Sequence, residues 1–423
     1  MLNPKTQQRE LSYVVLIDKI EPIIGSDNCE SAIVGGWHIM VRKGQFNIGD
    51  PAIYFEIDSK VPADKEYFAF LEKRHYKVKT QKFTFGGKGS FISQGLLMHA
   101  SDFGWTIYNK ITPDAYGTCV IDTDVAIIDD SGEAHRANDE SRFLTQKLGV
   151  TYADDEDNTR KAPSVDKYKK METRHRKLFK NPVIHWFMRY KFGRKVMFFF
   201  FGKKKDKKNG WPSWVQKTDE ERIENMPFVL QNKNPWIVTE KCDGSSTTFT
   251  MKRGKFKKKD FYVCSRNVCF DSVDKPCYYD TNIYWEMAQK YHMFEVLSQL
   301  LDSMPAVEWV TIQGETYGEG VQRNTYGLSG HDFMAFNLIT SDKGRWNSCD
   351  MKEILEKDYN IPCVPILNDN YILPDTVEEL REYVNSQPSV INGEMKEGIV
   401  CRSPDGIHSF KCVSPDYLLK YHS

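Results

Sequence analysis

One lysine in this chain has the surroundings of a nucleophile. Lys241 lies in Glu240-Lys241-Cys242-Asp243-Gly244, a Lys-x-Asp-Gly pattern. The apolar run Pro235-Trp236-Ile237-Val238-Thr239 precedes it, and the alternating run Ser245-Ser246-Thr247-Thr248-Phe249 follows. This predicts a lysine at a strand end, beside a turn that glycine permits, pointing into a pocket between strands. Such an amine can attack the α-phosphate of a nucleotide and hold the nucleotide covalently. It must be neutral to do so, and burial or neighbouring cations are expected to lower its pKa. A four-residue pattern with one free position recurs by chance, so its meaning rests on the rest of the chain.

Four later segments have chemistry that would complete such a site. Cys264-Ser265-Arg266-Asn267 puts a guanidinium at the next strand end. Thr311-Ile312-Gln313-Gly314-Glu315 is an apolar strand ending in a carboxylate. Glu397-Gly398-Ile399-Val400-Cys401-Arg402 is a carboxylate entering a β-run, and Ser409-Phe410-Lys411-Cys412-Val413 sets a lysine within a strand. Carboxylates can hold Mg²⁺ or ribose hydroxyls, and Lys or Arg can neutralise phosphate oxygens. Taken singly, a strand-end Glu is usually a solvated surface acid and a lone strand Lys an exposed edge residue. The order of the four after Lys241 is what makes them specific.

These residues need elements to hold them. At 423 residues the chain has room for two or three domains. It is 40% hydrophobic and 27% charged, as a globular protein is, and no apolar run approaches a membrane span. The N-terminus lacks the hydrophobic stretch of a signal peptide. Ten scattered cysteines without CxxC pairs predict reduced thiols in an intracellular compartment. Tyr13–Ile17, Trp37–Val41 and Ala52–Ile57 read as short strands separated by Gly35-Gly36 and Gly49-Asp50, which suggests an OB-like barrel over residues 1–130. Phe83 to Gly95, rich in glycine, reads as a hairpin or a nucleic-acid contact. Residues 131–210 read as an acidic linker and then a basic, aromatic-rich insertion. The insertion carries eighteen Lys/Arg against three acids between Arg160 and Lys208. Net charge is zero, but phosphate attraction is local. Arg174, Arg176, Lys203, Lys204, Lys205, Lys207 and Lys208 are therefore candidate nucleic-acid contacts, the alternative being a solvated helical insertion. Residues 211–423 alternate strands with helices. One helix is expected over 281–301, with Met287, Tyr291, Phe294 and Leu301 as its buried stripe. Another is expected to begin at the capping box Thr376-x-x-Glu379.

From about 211 to 423 the motif order resembles the covalent nucleotidyltransferase superfamily of polynucleotide ligases and mRNA capping enzymes. The segments that carry it are Lys241-Cys242-Asp243-Gly244, Ser265-Arg266-Asn267, Gly314-Glu315-Thr316-Tyr317-Gly318, Asp332-Phe333-Met334-Ala335-Phe336-Asn337, Glu397-Gly398-Ile399-Val400 and the strand around Lys411. DNA ligases and capping enzymes carry an OB domain after the last motif. This sequence stops twelve residues beyond Lys411 and has its β-rich segment in front. That layout is similar to ATP-dependent RNA ligases of the branch often called family 5, as is Lys217-Thr218-Asp219-Glu220-Glu221-Arg222. The resemblance implies an α+β chain, with an OB-like barrel ahead of an adenylyltransferase domain of antiparallel sheets flanked by helices. It implies Lys241 as the lysyl-adenylate nucleophile, Asp243 and Gly244 as parts of the nucleotide site, Glu240 at the adenine edge and Phe336 stacked on it. Glu315 would bind the ribose, Arg266 the sugar or phosphate, Glu397 the metal (Mg²⁺ or Mn²⁺) and Lys411 the α-phosphate. The expected enzyme is a monomer that uses ATP to seal 3′-OH and 5′-phosphate ends of nicked or broken duplex RNA, in RNA repair. Two positions depart from the pattern: Ser409 replaces the first lysine of Lys-x-Lys, and Asn337 replaces an acid. The competing readings are a DNA ligase or GTP-using capping enzyme, and a non-catalytic RNA-binding relative.

Overall fold

The computed structural model describes residues 1–3, 9–108, 111–113, 119–121, 125–128, 134–137, 142–153, 211–215, 217, 219–254, 258–270, 272–275, 277–279, 281–406 and 408–422. The first domain is built on a three-stranded antiparallel sheet in the order β1 (Ser12–Leu16), β5 (Pro51–Phe55), β10 (Leu96–Met98). Alternate residues of β1 and β5 supply two cores. Val14, Ile53 and Phe55 pack with Phe68 and Leu71 of the 3₁₀ helix Glu66–Arg74 and with Leu144, Leu148 and Val150. Tyr13, Val15 and Tyr54 pack on the other face with Trp37 and Ile39. Burial on both faces explains why these strands read as unbroken apolar runs. Around this sheet lie β2 (Lys19–Pro22), β3 (Cys29–Val34) and β4 (Trp37–Arg42) as one meander. The ribbon β6 (Ser59–Lys60), β7 (Lys77–Val78) and the hairpin β8 (Thr80–Thr84), β9 (Ser90–Gln94) follow. The glycine-rich Phe83–Gly95 segment is thus a hairpin. Short strands β11 (Thr106–Tyr108), β12 (Ile111–Pro113), β13 (Cys119–Ile121), β14 (Val125–Ile128) and β15 (Ala134–Ala137) come next, and β16 (Thr151–Tyr152) pairs with β6. Residues 142–153, expected in the linker, instead belong to this domain: Leu144, Leu148 and Val150 are too apolar to stay out of its core. The basic insertion is a different case. Its candidate nucleic-acid contacts Arg174, Arg176, Lys203, Lys204, Lys205, Lys207 and Lys208 all lie outside the described residues.

The second domain is two sheets. A five-stranded sheet runs β17 (Glu221–Arg222), β27 (Ser409–Val413), β26 (Gly398–Arg402), β18 (Trp236–Lys241), β25 (Ile366–Tyr371). A six-stranded sheet runs β21 (Cys269–Phe270), β20 (Lys259–Ser265), β19 (Ser245–Arg253), β22 (Trp309–Gly318), β23 (His331–Thr340), β24 (Gly344–Arg345). The larger sheet is covered by α1 (Ile283–Lys290), α2 (Met293–Ser303) and α3 (Ser348–Tyr359) over a core that includes Phe249, Met287, Leu297 and Phe333. The smaller sheet buries Trp236, Ile399 and Phe410 with α4 (Val377–Asn385). Thr376 caps α4 in the expected reciprocal box with Glu379. The expected helix over 281–301 is two helices. His292 adopts φ 48° between them, and Phe294 is exposed rather than in the buried stripe.

The domains are joined by buried polar contacts. Arg381 donates to Glu224 (2.8 Å), to Gln94 (2.9 Å) and to the Gly36 carbonyl (3.2 Å). Asn225 accepts from Trp37 at 2.6 Å and donates to Glu56 at 3.0 Å. Val413 and Leu418, the latter on α5 (Pro415–Tyr421), pack into the core of the first domain.

Candidate active site

Lys241 ends β18, and Cys242–Gly244 carries the chain across to β19 in the other sheet, so the lysine stands where the two sheets meet. Antiparallel register sets Lys241 opposite Gly398 and so brings Glu397 alongside. Lys241 Nζ donates to Glu397 Oε2 at 2.8 Å, with the two side chains 24% and 11% exposed. Glu315 arrives from β22, opposite Ser246 of β19. The sequence predicts a special turn at Gly244, but its φ is not in the left-handed region. Its requirement is closeness: a Cβ there would lie 2.5 Å from the Thr316 carbonyl oxygen and 2.9 Å from Glu315 Cγ.

The electrostatics correct the expectation for Lys241. Burial lowers its pKa, but Glu397, Glu315 and Asp243 outweigh that and raise it above the ordinary lysine value. The carboxylates around the amine outnumber the cations and so favour its charged form. The same imbalance acts on the acids. Burial raises the Glu397 pKa against the pull of Lys241. Burial also pushes Glu315 up to about 8, with Lys241 opposing and Glu397 reinforcing.

A second charge cluster closes the other side. Lys411 Nζ lies 2.7 Å from Asp219 Oδ1, and Arg266 Nη2 lies 2.8 Å from Asp219 Oδ2. Arg9 of the first domain stands 3.7 Å from the same carboxylate. Burial opposes ionisation of Asp219, yet Lys411, Arg9 and Arg266 hold its pKa well below the usual range. Burial draws Lys411 down to about 8 despite Asp219, with Arg9, Arg222 and Lys241 adding to the effect. Tyr152 of the first domain lies under the Arg266 guanidinium at 5.1 Å and accepts a hydrogen bond from it. Arg9, Tyr152 and Asp219 carry no role in the sequence reading. Asp219 alone had a signal, its place in Lys217-Thr218-Asp219-Glu220.

Other candidates fall into place or away from it. Asp243 accepts from Tyr417 Oη at 2.8 Å, and its backbone N–H donates to Tyr326 Oη. Phe336 is half-buried against Cys242, Tyr317 and Val364, with Tyr326 and Met334 beside it. Glu240 does not present its carboxylate to the cleft. It is 1% exposed, and its oxygens accept from Ser389 Oγ and the Val390 N–H. Strand alternation turns it away from Lys241, so its work is to anchor the loop after α4. Ser409 bonds Glu220 and accepts from Arg345 at 3.1 Å, which brings a guanidinium to the position of the absent lysine. Asn337 is fully buried and donates to Gln313 at 3.0 Å, inside the large sheet.

A part-buried lysine paired with Glu397 at the lip of an inter-sheet cleft, behind an OB-like barrel, is the architecture of a ligase-type nucleotidyltransferase fold. Residues 234–422 match the family described as RNA ligase, and residues 11–99 match an OB-fold domain. The chain therefore carries an RNA ligase domain behind an OB fold, and it is an RNA ligase. No curated protein matches it. Among solved structures it is similar to the RNA ligase of Naegleria gruberi. One mutant of that enzyme, with ATP and Mn, is 25% identical at a TM-score of 0.65, covering 98% of this chain and 99% of that one. Another, with AMP and Mn, is 24% identical at a TM-score of 0.65 over the same shares. Among the described residues no disulfide forms, and no helix is long and apolar enough to cross a membrane.

Proposed function

We propose that this RNA ligase uses ATP to join RNA 3′-OH and 5′-phosphate ends, with Lys241 as the covalent AMP carrier. The observation that supports this best is Lys241 Nζ held 2.8 Å from Glu397 in a cleft also lined by Glu315, with Lys411 on an adjacent strand pair. Lys241 Nζ attacks the α-phosphorus, the bond to the β-phosphate oxygen breaks, and pyrophosphate leaves. The AMP passes to an oxygen of the RNA 5′-phosphate and frees the lysine. The 3′-OH then attacks that phosphate and AMP departs. For the first step Lys241 must give up a proton, and Glu397, at hydrogen-bond distance, is placed to receive it. Phe336 offers an aromatic face for the adenine, Glu315 an acceptor for the ribose, and Lys411 and Arg266 positive charge for phosphate.

The residues fit a hard divalent cation. Glu397 and Glu315 are carboxylates that burial starves of positive charge, and Mg²⁺ or Mn²⁺ is held by one or two carboxylates together with substrate phosphates. Among the described residues no three acids, His or Cys form a ready cage, in keeping with that mode. Glu397 would hold the ion, which when bound supplies neutralising charge to the phosphates. The solved Naegleria structures with ATP or AMP and Mn support both the nucleotide and the metal. The test is incubation with α-labelled ATP and Mg²⁺. A covalent protein–AMP adduct is expected, and Lys241→Ala should abolish it. Persistence of label in that variant would overturn the assignment.

A further inference from the structure

The first domain carries a second polar–aromatic groove, away from Lys241. The 3₁₀ helix Glu66–Arg74, β7 and the β8–β9 hairpin form an open groove of about 90 Å³ between them. Phe70, on its wall, is 59% exposed, although nothing in folding favours leaving a phenyl ring in water. Phe83 of β8 lines the same groove, half-buried. Three cations surround the rings: Arg74, Lys77 and Lys79. None of the three has a carboxylate partner among the described residues. That contrasts with the catalytic cleft, where every cation named above is paired. Register sets Lys77 directly opposite Lys60.

Two structural routes tie the groove to the active site. In the ribbon β16-β6-β7, Lys77 stands two strand spacings from the strand of Tyr152, roughly 10 Å. Tyr152 in turn lies under Arg266 at the cleft mouth. On the other side β8 packs against α5, whose Tyr417 bonds Asp243. A chain leaving the cleft would reach the groove within a few nucleotides.

We infer that this groove binds unpaired RNA flanking the break. Arg74, Lys77 and Lys79 would hold successive phosphates, and a base would stack on Phe70. Exposed aromatics interleaved with unpaired cations are the chemistry of single-strand capture, because a base must be unstacked from a duplex before it can lie on a ring. The inference rests on the RNA-ligase reading for the kind of polymer, but its test does not need catalysis.

The experiment measures binding of a fluorescent unpaired RNA oligonucleotide to the full chain by anisotropy across a salt series. Arg74→Ala/Lys77→Ala/Lys79→Ala should flatten the slope of log K against log salt by about 2, at about 0.7 per lost contact. Phe70→Ala should weaken binding roughly tenfold and leave the slope alone, as loss of one stacked base does. Duplex RNA should compete poorly. An unchanged affinity and slope in both variants overturns the groove, and equal competition by duplex overturns its preference for unpaired RNA. Lysyl-AMP formation is followed in parallel. It should stay at the wild-type level in both variants, which also shows that they fold; its absence from the wild-type enzyme would count against the ATP reading and leave the binding result standing.

Discussion

The Lys241–Glu397 pair is the part of this site whose energetics can be pressed hardest. At 2.8 Å, and with an effective dielectric near 20, two unit charges attract by about 6 kcal/mol, equivalent to about 4 pKa units. The lysine is 24% exposed, and solvent screening reduces that figure, so about 2 units should remain. Glu397→Gln keeps shape and hydrogen bonding while removing the charge. The Lys241 amine in that variant should titrate about 2 units lower than in the wild type, which makes it roughly a hundredfold more reactive near neutral pH. The assay is competitive acylation of the ligand-free enzyme over a pH series, with the Lys241 peptide read by mass spectrometry. The same variant should form less lysyl-AMP, because a carboxylate proposed to take the proton and to hold the metal is gone. The two readouts must therefore move in opposite directions. An unshifted acylation midpoint would refute the claim that Glu397 keeps the amine charged. Adenylylation that rose together with amine reactivity would refute the metal assignment.

Asp219→Asn should destabilise the ligand-free protein by about 3 kcal/mol at neutral pH, since Lys411, Arg266 and Arg9 lose a shared counter-ion. The folded-state pKa of Asp219 is depressed. Its stabilisation is therefore present above the unfolded carboxylate pKa and is lost as pH falls toward the folded one. The gap between variant and wild type in urea melts should narrow below about pH 4, and a constant gap would refute the account. Glu315 shows the opposite sign: with its pKa raised to about 8, wild-type stability should fall as pH climbs from about 4.5 to about 8. Glu315→Gln should remove that decline and gain about 2–5 kcal/mol over the wild type by the upper end, while losing adenylylation; a parallel decline in both proteins would count against it. Replacing Lys203, Lys204, Lys205, Lys207 and Lys208 together by alanine should flatten the salt dependence of RNA binding and leave lysyl-AMP formation intact, and an unchanged slope would leave the insertion without a phosphate-binding role.

The strands of both domains were legible because their patterning is local. Tyr13–Ile17 is apolar throughout, Ala52–Ile57 is apolar but for Glu56, and both prove to be buried on both faces, and Thr376 with Glu379 writes its cap in four residues. The break at His292 was not legible, since a left-handed histidine has no glycine or proline to announce it. Nor was the state of Lys241. Its strand predicted a buried amine, but the sign of the shift is set by Glu397, 156 residues away, and by Glu315. Glu240 bonds Ser389 and Val390, contacts that its place beside Lys241 in the sequence does not announce. Gly244 was right for another reason, closeness of the Thr316 carbonyl rather than turn geometry.

Asp219 links the fold to the chemistry. Burying Lys411 without a counter-charge would cost several kcal/mol, and Asp219 offsets that while also pairing the half-exposed Arg266. Two further partners of this cluster, Arg9 and Tyr152, come from the OB domain. The cluster therefore draws partners from both domains, which the contacts of Arg381 and Asn225 hold together. A ligand that brings several negative charges together can displace Asp219 from Lys411 and Arg266 in one step and keep both cations paired throughout. Three cations sharing one carboxylate thus suit the polyphosphate that the proposed reaction requires.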